Sequence, residues 1–344
     1  MLAWLNRMVG SRPLKLQQLR YVVEIVRHGN HLSAAAEALN TSQPGVSRQI
    51  QLLEQELGFE IFQRTRNRII ALTEPGNIVF QISQRIGTDV AALKTLKEDM
   101  YSGNRGIFTI ATTHTQARYV LPKVVERFIA KYPDVKLVLK QGDPEEICAL
   151  VDAGLADLAI GTETRRDFPD LVKLRCWELQ RCIVATTGHP ILSVPELTLA
   201  EIAKYPIITY DSRYSGRWKV LKAFADAGLE PKIVMSGIDA DVCKTYVGMG
   251  LGIGILAAMT YDKERDTGIE VRDASHLLPS STIAVSLRPN TYLRPFLLDF
   301  IHSVAPKLTP FAVKKAVRES QSSAEERPAY VLPGGGDVGD DEDL

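Results

Sequence analysis

A cluster of hydroxyl and amide side chains follows a short apolar run in IFTIATTHTQARYVLP, residues 107–122. The run IFTIA predicts a buried strand, and YVLPKVVERFIAKYP predicts an amphipathic helix. Thr113, Thr115 and Gln116 therefore lie where a strand ends and a helix begins, which is where α/β sheets bind ligands. Neutral donors beside the free N–H groups and positive dipole of a helix N-terminus suit a small anion. A self-satisfied helix cap is the alternative, although three threonines and a glutamine exceed what one cap uses.

The ends of other predicted strands carry the same chemistry. Thr162 closes the strand-like run LADLAIGT, and Ser215 stands in TYDSRYSGRW before a predicted helix that starts near Arg217. Because ligands of open α/β sheets bind beyond the carboxyl ends of the strands, we expect these neutral donors to converge on one anion in a cleft.

Motifs for catalysis and metal binding do not occur in the sequence. It has no GxSxG, P-loop or HExxH pattern, and His114 and His276 lack a nucleophile partner. Asp239 and Asp241 suit a helix cap better than an acid–base pair. GMGLGIGI at 248–255 follows a predicted helix and precedes a strand, the reverse of a dinucleotide fingerprint. We therefore expect no enzyme activity, no cofactor and no metal.

The composition is that of a globular protein of two or three domains. The 344 residues include 41 basic and 41 acidic side chains, so the formal net charge is zero. The four scattered cysteines suit a reducing cytoplasm and not a zinc site. No run is long enough to span a membrane, and residues 1–14 form an extension without a signal-peptide core. The acidic tail 309–344 is expected to be largely disordered.

Residues 15–76 carry the pattern of a DNA-binding module. HLSAAAEALNTSQPGVSRQIQLLEQELG predicts two helices separated by a break at Asn40-Thr41, the spacing of a helix-turn-helix, with Ser33 and Ser42 as N-caps. At 100° per residue the second helix has one apolar face, formed by Val46, Ile50, Leu53 and Leu57. Its opposite face offers a hydroxyl, a guanidinium and an amide, which can read base edges: Pro44, Ser47, Arg48 and Gln51. A merely solvated face is the alternative.

The next segment, FEIFQRTRNRIIALTEPG, predicts a hairpin wing with a basic tip. Three arginines within five residues, Arg64, Arg66 and Arg68, could each neutralise a phosphate. Residues 77–104 then predict one long helix with a narrow apolar stripe, consisting of Val79, Ile82, Ile86, Leu93, Leu96 and Met100. Such a stripe suits a seam between paired helices, and a helix packed on its own chain is the alternative.

Strand-like and helix-like runs alternate from Gly106 to about residue 308. This alternation predicts an α/β fold with mostly parallel sheets. About 200 residues with two such series favour two lobes with a cleft between them, lobe I at about 105–177 and 283–308 and lobe II at about 178–282.

The N-terminal segment resembles the winged helix-turn-helix of LysR-type transcriptional regulators. It carries small residues on the first helix of the motif, then SQPxxSRQIxxLExxLGxxxFxR, then LTxxG. The resemblance implies that the long helix pairs two DNA-binding domains into a dimer on a palindromic site. It also implies which residues contact DNA: Ser42, Gln43, Pro44, Ser47, Arg48, Gln51, Arg64, Arg66 and Arg68.

Further motifs narrow the resemblance to the CysB/Cbl branch of that family. TTHTQARY, QGDPEEI, ITYDSRYSGRW and DADVCKTYV carry it, and it runs from about Leu16 to about residue 305. It implies a two-lobed effector domain like a periplasmic binding protein, and regulation of sulfur assimilation and cysteine biosynthesis. The implied ligand contacts are Thr113, Thr115, Gln116, Thr162 and Ser215. Two positions depart from this pattern: Ser215 replaces a Thr that is more usual in the branch, and Leu179 replaces a Trp that CysB itself carries.

The expected partners are a double-stranded palindromic operator, a small anionic effector and further copies of the chain in a dimer of dimers. The effector would be sulfate, N-acetylserine or O-acetylserine; RNA polymerase is left open as a partner, and no membrane is expected. One alternative is a LysR-type regulator of sulfonate or other anion use, with an effector such as adenosine phosphosulfate. A solute-binding transport protein would need a signal peptide and no basic wing, and an enzyme would need a nucleophile or paired carboxylates in the cleft.

Overall fold

The computed structural model describes residues 14–65, 68–102, 105–289 and 291–325. Apart from Leu14, the expected extension 1–14 lies outside these residues. In chain order the elements are α1 Leu16–Arg27, α2 Leu32–Ala38, α3 Gln43–Leu57, β1 Phe62–Thr65, β2 Arg68–Leu72, α4 Glu74–Ser102, β3 Gly106–Thr112, α5 His114–Tyr119, α6 Leu121–Lys131, β4 Val135–Gln141, α7 Pro144–Asp152, β5 Leu158–Gly161, β6 Val172–Leu179, β7 Arg181–Thr186, α8 Leu199–Ala203, β8 Ile207–Tyr210, α9 Ser215–Asp226, β9 Ile233–Gly237, α10 Ala240–Gly248, β10 Ile253–Ala257, β11 Ile269–Asp273, β12 Ser281–Leu287, α11 Pro295–Val304 and α12 Pro310–Glu325.

The N-terminal domain is a helix-turn-helix with a hairpin wing, as the sequence predicts. Val46, Ile50 and Leu53 of α3 are fully buried against α1 and the wing, which confirms the predicted apolar face. Ser42 caps α3, because its hydroxyl accepts a hydrogen bond from the Gly45 amide at 3.3 Å. The prediction for Ser33 is wrong. His31 precedes the first residue of α2, and the Ser33 hydroxyl instead donates across the turn to Gln43 Oε1.

The long helix α4 begins at Glu74, three residues before its expected start, because Thr73 caps it through the Gly76 amide at 2.9 Å. Its apolar stripe is divided between two environments. Val79 and Ile86 pack against the N-terminal core. Ile82 is 40% exposed and Leu93 is 66% exposed. Part of the stripe is therefore buried in the N-terminal domain, and part remains exposed. The side chains of Leu96 and Met100 lie outside the described residues.

Two five-stranded sheets, one per lobe, follow α4. The order in lobe I is β4-β3-β5-β12-β6, and in lobe II β11-β7-β10-β8-β9. The expectation of mostly parallel sheets is wrong, since two of the four pairings in each sheet are antiparallel. The chain passes directly from β6 in lobe I to β7 in lobe II, and it returns at β12. Parallel neighbours need a long connection, usually a helix. The strands at which the chain changes lobe, β6, β7 and β12, therefore pair antiparallel with their neighbours.

The core of lobe I is aromatic. Phe108 lies 5.3–5.5 Å, centroid to centroid, from three other phenylalanine rings: Phe128, Phe296 and Phe300. Val313 and Val317 of α12 are buried in the same core. The expected disordered tail is therefore wrong for residues 310–325, because two valines four residues apart give this helix a buried face. Residues 326–344 lie outside the described part of the chain.

The glycine-rich stretch at 248–255 serves packing, as expected. Gly250 adopts a positive φ of 77° just beyond the end of α10. A Cβ at Gly252 would lie 2.4 Å from the Pro206 carbonyl oxygen, so only glycine allows β10 to begin there. Across the described ranges, none of the helices combines the length and apolarity needed to cross a membrane.

Candidate functional site

One cavity between the two lobes brings together the residues singled out for anion binding. Thr113, Thr115, Gln116 and Thr162 line it from lobe I, and Ser215 lines it from lobe II. Its volume is about 20 Å³. A single water molecule needs roughly 10–15 Å³ on this kind of measure. In this arrangement the cavity therefore has room for about one water molecule and not for a larger ligand.

The lobe I wall consists of the first turn of α5 and the end of β5. Thr113 immediately precedes α5, and Thr115 and Gln116 are buried in its first turn. Among the described residues, neither Gln116 Oε1 nor Thr162 Oγ1 has a hydrogen-bond partner. A buried polar atom without a partner is costly, which marks these atoms as available to a ligand: the Thr162 hydroxyl can donate or accept, and Gln116 Oε1 can only accept. Because α5 has only six residues, its dipole contributes less than expected, and the individual donors matter more.

The lobe II wall holds a residue that the sequence reasoning missed, Arg181. Its side chain is 2% exposed and donates through Nη2 to the Ser281 hydroxyl, while Nε has no hydrogen-bond partner in the described ranges. Burial lowers the pKa of Arg181, but a guanidinium keeps its charge in proteins. No carboxylate of the described residues forms an ion pair with it, although the charge of Glu163 acts on it from a greater distance and offsets part of the effect of burial on its pKa. The sequence suggested a site made of neutral donors alone, and the structure adds a buried positive charge to it.

A serine pair and a glycine hold Arg181 in place. Ser215 Oγ lies 2.9 Å from Ser281 Oγ, so both hydroxyls belong to one chain of hydrogen bonds that ends at the guanidinium. A Cβ at Gly216 would lie 3.2 Å from Arg181 Nη2 and 3.0 Å from Tyr210 Cδ2. Glycine thus lets the guanidinium pass closely beside α9. Burial raises the pKa of Tyr210, which keeps the neighbouring phenol neutral.

Besides the hydrogen bonds of Ser281 with Arg181 and Ser215, three ion-paired bridges of described residues join the lobes around the cavity. Lys219 binds Glu163 at 2.6 Å, and Arg213 binds Asp143 at 3.2 Å. The third joins Tyr119 and Arg118 of α5 to Asp241 of α10, with the Tyr119 hydroxyl 2.7 Å from the carboxylate. These bridges hold the two lobes together in this arrangement, and they involve helices α5 and α9, which also carry residues of the cavity wall.

The structure divides the predicted roles of Asp239 and Asp241. Asp239 caps α10 by accepting from the Val242 amide at 2.8 Å, which confirms half of the expectation. Asp241 does not cap the helix but bridges the lobes. Carboxylate and imidazole atoms of Asp239, Asp241 and His114 lie within 4.8 Å of one another. Because Asp241 already faces Arg118 and Lys244, the local charge disfavours a metal cation there.

The predicted DNA-reading face lies on the surface of α3. Gln43, Pro44, Arg48 and Gln51 are exposed and Ser47 is half-buried, while Ser42 caps the helix. Gln43 also accepts a hydrogen bond from Ser33, which fixes the two helices of the motif relative to each other. These residues present the predicted polar face, and their contact with DNA stays a prediction.

The wing contains the three predicted arginines, but only Arg64 has a described side chain. Its guanidinium donates to Glu54 Oε2 at 2.8 Å, and Glu54 also accepts from the amides of Ile61 and Phe62. Arg64 therefore anchors the wing to α3 as well as standing at its surface. Arg68 belongs to β2, and Arg66 lies outside the described residues.

Comparison with known proteins shows similarity to one family along most of the chain. Residues 16–77 match "Bacterial regulatory helix-turn-helix protein, lysR family", and residues 102–308 match "LysR substrate binding domain". The chain is 44% identical to the HTH-type transcriptional regulator SsuR of Burkholderia cenocepacia over 89% of this chain and all of that protein. It is 42% identical to the HTH-type transcriptional regulator CysB of Haemophilus influenzae, over 89% of this chain and 94% of that one. The solved cofactor-binding domain of the Cbl transcriptional regulator superposes with a TM-score of 0.59 at 37% identity, covering 62% of this chain and 94% of that domain.

Proposed function

Since the chain belongs to the LysR family of DNA-binding transcriptional regulators and is not an enzyme, we propose that it regulates genes of sulfur assimilation and cysteine biosynthesis. A small anionic effector in the inter-lobe cleft would control it. The similarity to regulators named CysB, SsuR and Cbl supports this branch of the family.

The observation that carries the effector proposal is the buried guanidinium of Arg181. A buried charge without a counter-ion is strongly unfavourable. An anion that accepts hydrogen bonds from Arg181 Nε and from the Thr162 hydroxyl, which both lack a partner among the described residues, would relieve this cost. Gln116 Oε1 can only accept, so it suits a donor group of the ligand and not the anion itself. Sulfate, N-acetylserine and O-acetylserine all carry an oxyanion of this kind. Adenosine phosphosulfate, the alternative effector, would need a much wider opening of the cleft than the other three.

Effector binding would act by selecting one arrangement of the lobes. A ligand shifts such an equilibrium only by its difference in affinity for the two arrangements. In the structure the two walls of the site belong to different lobes, so a bound anion contacts both only when they are close. The proposed response is thus a change in lobe separation that alters the placement of the DNA-binding domains.

Calorimetric titration of the full chain with the four candidate effectors tests this proposal. We expect one of them to bind, and Thr115→Ala to weaken that binding about ten-fold, the loss of one hydrogen bond to a charged group. Thr267→Ala is the matched control, because Thr267 is an exposed threonine of lobe II that does not line the cavity. Equal affinity of the wild type and Thr115→Ala would remove Thr115 from the site.

Operator binding is tested separately by Arg48→Ala in α3. Loss of a phosphate or base contact should weaken binding, and for a phosphate contact the slope of log K against log salt should fall by about one per site. Arg20→Ala, which removes an exposed arginine of α1, serves as the control. Undiminished binding by Arg48→Ala at physiological salt would contradict the assignment of α3 as the reading helix.

A further inference from the structure

Apart from the inter-lobe cavity, lobe I carries a groove between the segment that leads into α11 and helix α12. Its volume is about 660 Å³. The floor is apolar and includes Leu293, Leu298 and Val317, and Tyr292 at the edge is 48% exposed. On the helical wheel of α12, Phe311 lies within about 20° of the groove residue Arg318, and it is 77% exposed. An apolar groove rimmed by exposed aromatic side chains is typical of a docking surface.

The charged residues of this groove favour an acidic occupant. Lys314 and Arg318 line it from α12. Lys314 has no ion-pair partner within the described ranges, whereas the acid in the groove, Asp299, already binds Lys131 and the Tyr132 hydroxyl. The unpaired charge that faces the groove, that of Lys314, is therefore positive.

Residues 326–344 of the same chain have the matching chemistry. They contain six acidic side chains and one arginine, an excess of five negative charges. Near their start, Ala-Tyr-Val-Leu at 329–332 is an apolar run followed by Pro333, and the acidic residues come later, from Asp337 to Asp343. The apolar run would fit the floor and the acidic run would fit the basic rim.

The chain between α12 and the apolar run is also long enough to reach the groove. Pro328 disfavours a helical conformation at Arg327, so the direction of α12 cannot simply continue. The eight residues from Val317 to Glu325 span about 12 Å of helix. Five residues from Glu325 to Tyr330 can span up to about 16 Å. A chain that folds back along α12 thus brings Tyr330 to the level of Val317.

We propose that residues 329–333 bind in this groove of the same molecule. Tyr330, Val331 and Leu332 cover the apolar floor, and the acidic residues that follow lie against the basic side of α12. Docking in the same molecule is favoured over docking in a second copy because the short connection gives a high effective concentration.

Hydrogen–deuterium exchange of the full chain, compared with a chain truncated after Glu325, tests this docking. We expect truncation to speed exchange about ten-fold in the segment 291–299 and around 310–318, and to leave lobe II unchanged. Adding the peptide 326–344 to the truncated chain should restore the protection. The same peptide with Tyr330→Ser and Leu332→Ser should not, and Lys314→Glu should weaken the rescue.

Two results would overturn the proposal. Unchanged exchange in both segments after truncation means that the segment does not cover the groove. Protection that the full chain loses on dilution means that the occupant comes from a second copy. A stable circular-dichroism spectrum of the truncated chain is the control for folding, because Val313 and Val317 stay in place in that variant.

Discussion

Arg181 shows how a single residue sets the chemistry of the cleft. Its guanidinium is buried at the first position of β7, and Ser281, one hundred residues later, is its hydrogen-bond partner. An arginine before an apolar strand is ordinarily a solvated end, so the local pattern RCIVAT gives no sign of this burial. The contact arises only because the chain returns to lobe I at β12. The threonines, by contrast, could be predicted from the sequence because strand ends and hydroxyls are local features.

At the residue scale we predict that Arg181→Met abolishes effector binding. Methionine matches the length of the side chain but carries no charge, so the anion loses its only buried cation among the described wall residues. The empty protein should be as stable as the wild type or more so, since replacing an uncompensated buried charge by an apolar group of similar size is often stabilising. Calorimetric titration and thermal unfolding measure the two effects. A variant that binds the effector normally would show that Arg181 acts elsewhere.

Helix α5 connects the site to the lobe bridges at the scale of single elements. Its first turn carries Thr115 and Gln116, and its last turn carries Arg118 and Tyr119, which bind Asp241 of the other lobe. The ligand-facing residues thus lie about one helical turn from the residues that bind Asp241. A ligand that displaces α5 therefore also displaces the bridge between the lobes. The sequence places Asp241 near a helix start but cannot show a bridge to a residue 122 positions away.

At this scale the bridge predicts a dependence of stability on pH. Burial favours the neutral acid at Asp241, but hydrogen bonds from Tyr119 and the charges of Lys244 and Arg118 prevail and lower its pKa below the ordinary 3.8. A carboxyl group with a lowered pKa stabilises the fold above its ordinary value, and this contribution is lost as the pH falls below it. Asp241→Asn should therefore cost about 1–2 kcal/mol at pH 7. The difference from the wild type should shrink below about pH 4.

Urea unfolding of both proteins between pH 3 and pH 8 measures this difference. Asp226→Asn is the control, because Asp226 forms an exposed ion pair with Lys222 within α9 and contacts no other charged group among the described residues. A difference between wild type and Asp241→Asn that stays constant down to pH 3 would show that the bridge is not ionised in the way proposed.

At the scale of the whole molecule, exposed apolar side chains occur on both lobes and on α4, in addition to those of the groove beside α12. On the lobes, Ile129 of α6 and Met249 beyond α10 are 52% and 65% exposed, and the edge strands β4 and β9 add Leu139 and Val234. On α4, Ile78 is 57% exposed and Leu93 is 66% exposed. Exposed apolar sets of this kind are typical of contacts between subunits. The helical period of α4 predicted its stripe, but the lobe surfaces could not be predicted because they combine residues far apart in sequence.

We propose that the exposed apolar side chains of α4 and those of the lobes form the two different self-complementary interfaces that a dimer of dimers needs. We predict that Leu93→Lys on α4 and the pair Ile129→Lys and Met249→Lys on the lobes each leave dimers, and that all three changes together leave monomers. Burial of one such side chain contributes about 1.5–3 kcal/mol, so each change should weaken its interface at least ten-fold. Sedimentation velocity measures the species, with the exposed polar change Thr267→Lys as the control.

Because two linked DNA-binding domains bind two half-sites with a high effective concentration, the monomer should lose affinity for a full palindrome while binding a single half-site as the wild type does. A tetramer that survives all three changes would place the subunit contacts on other surfaces.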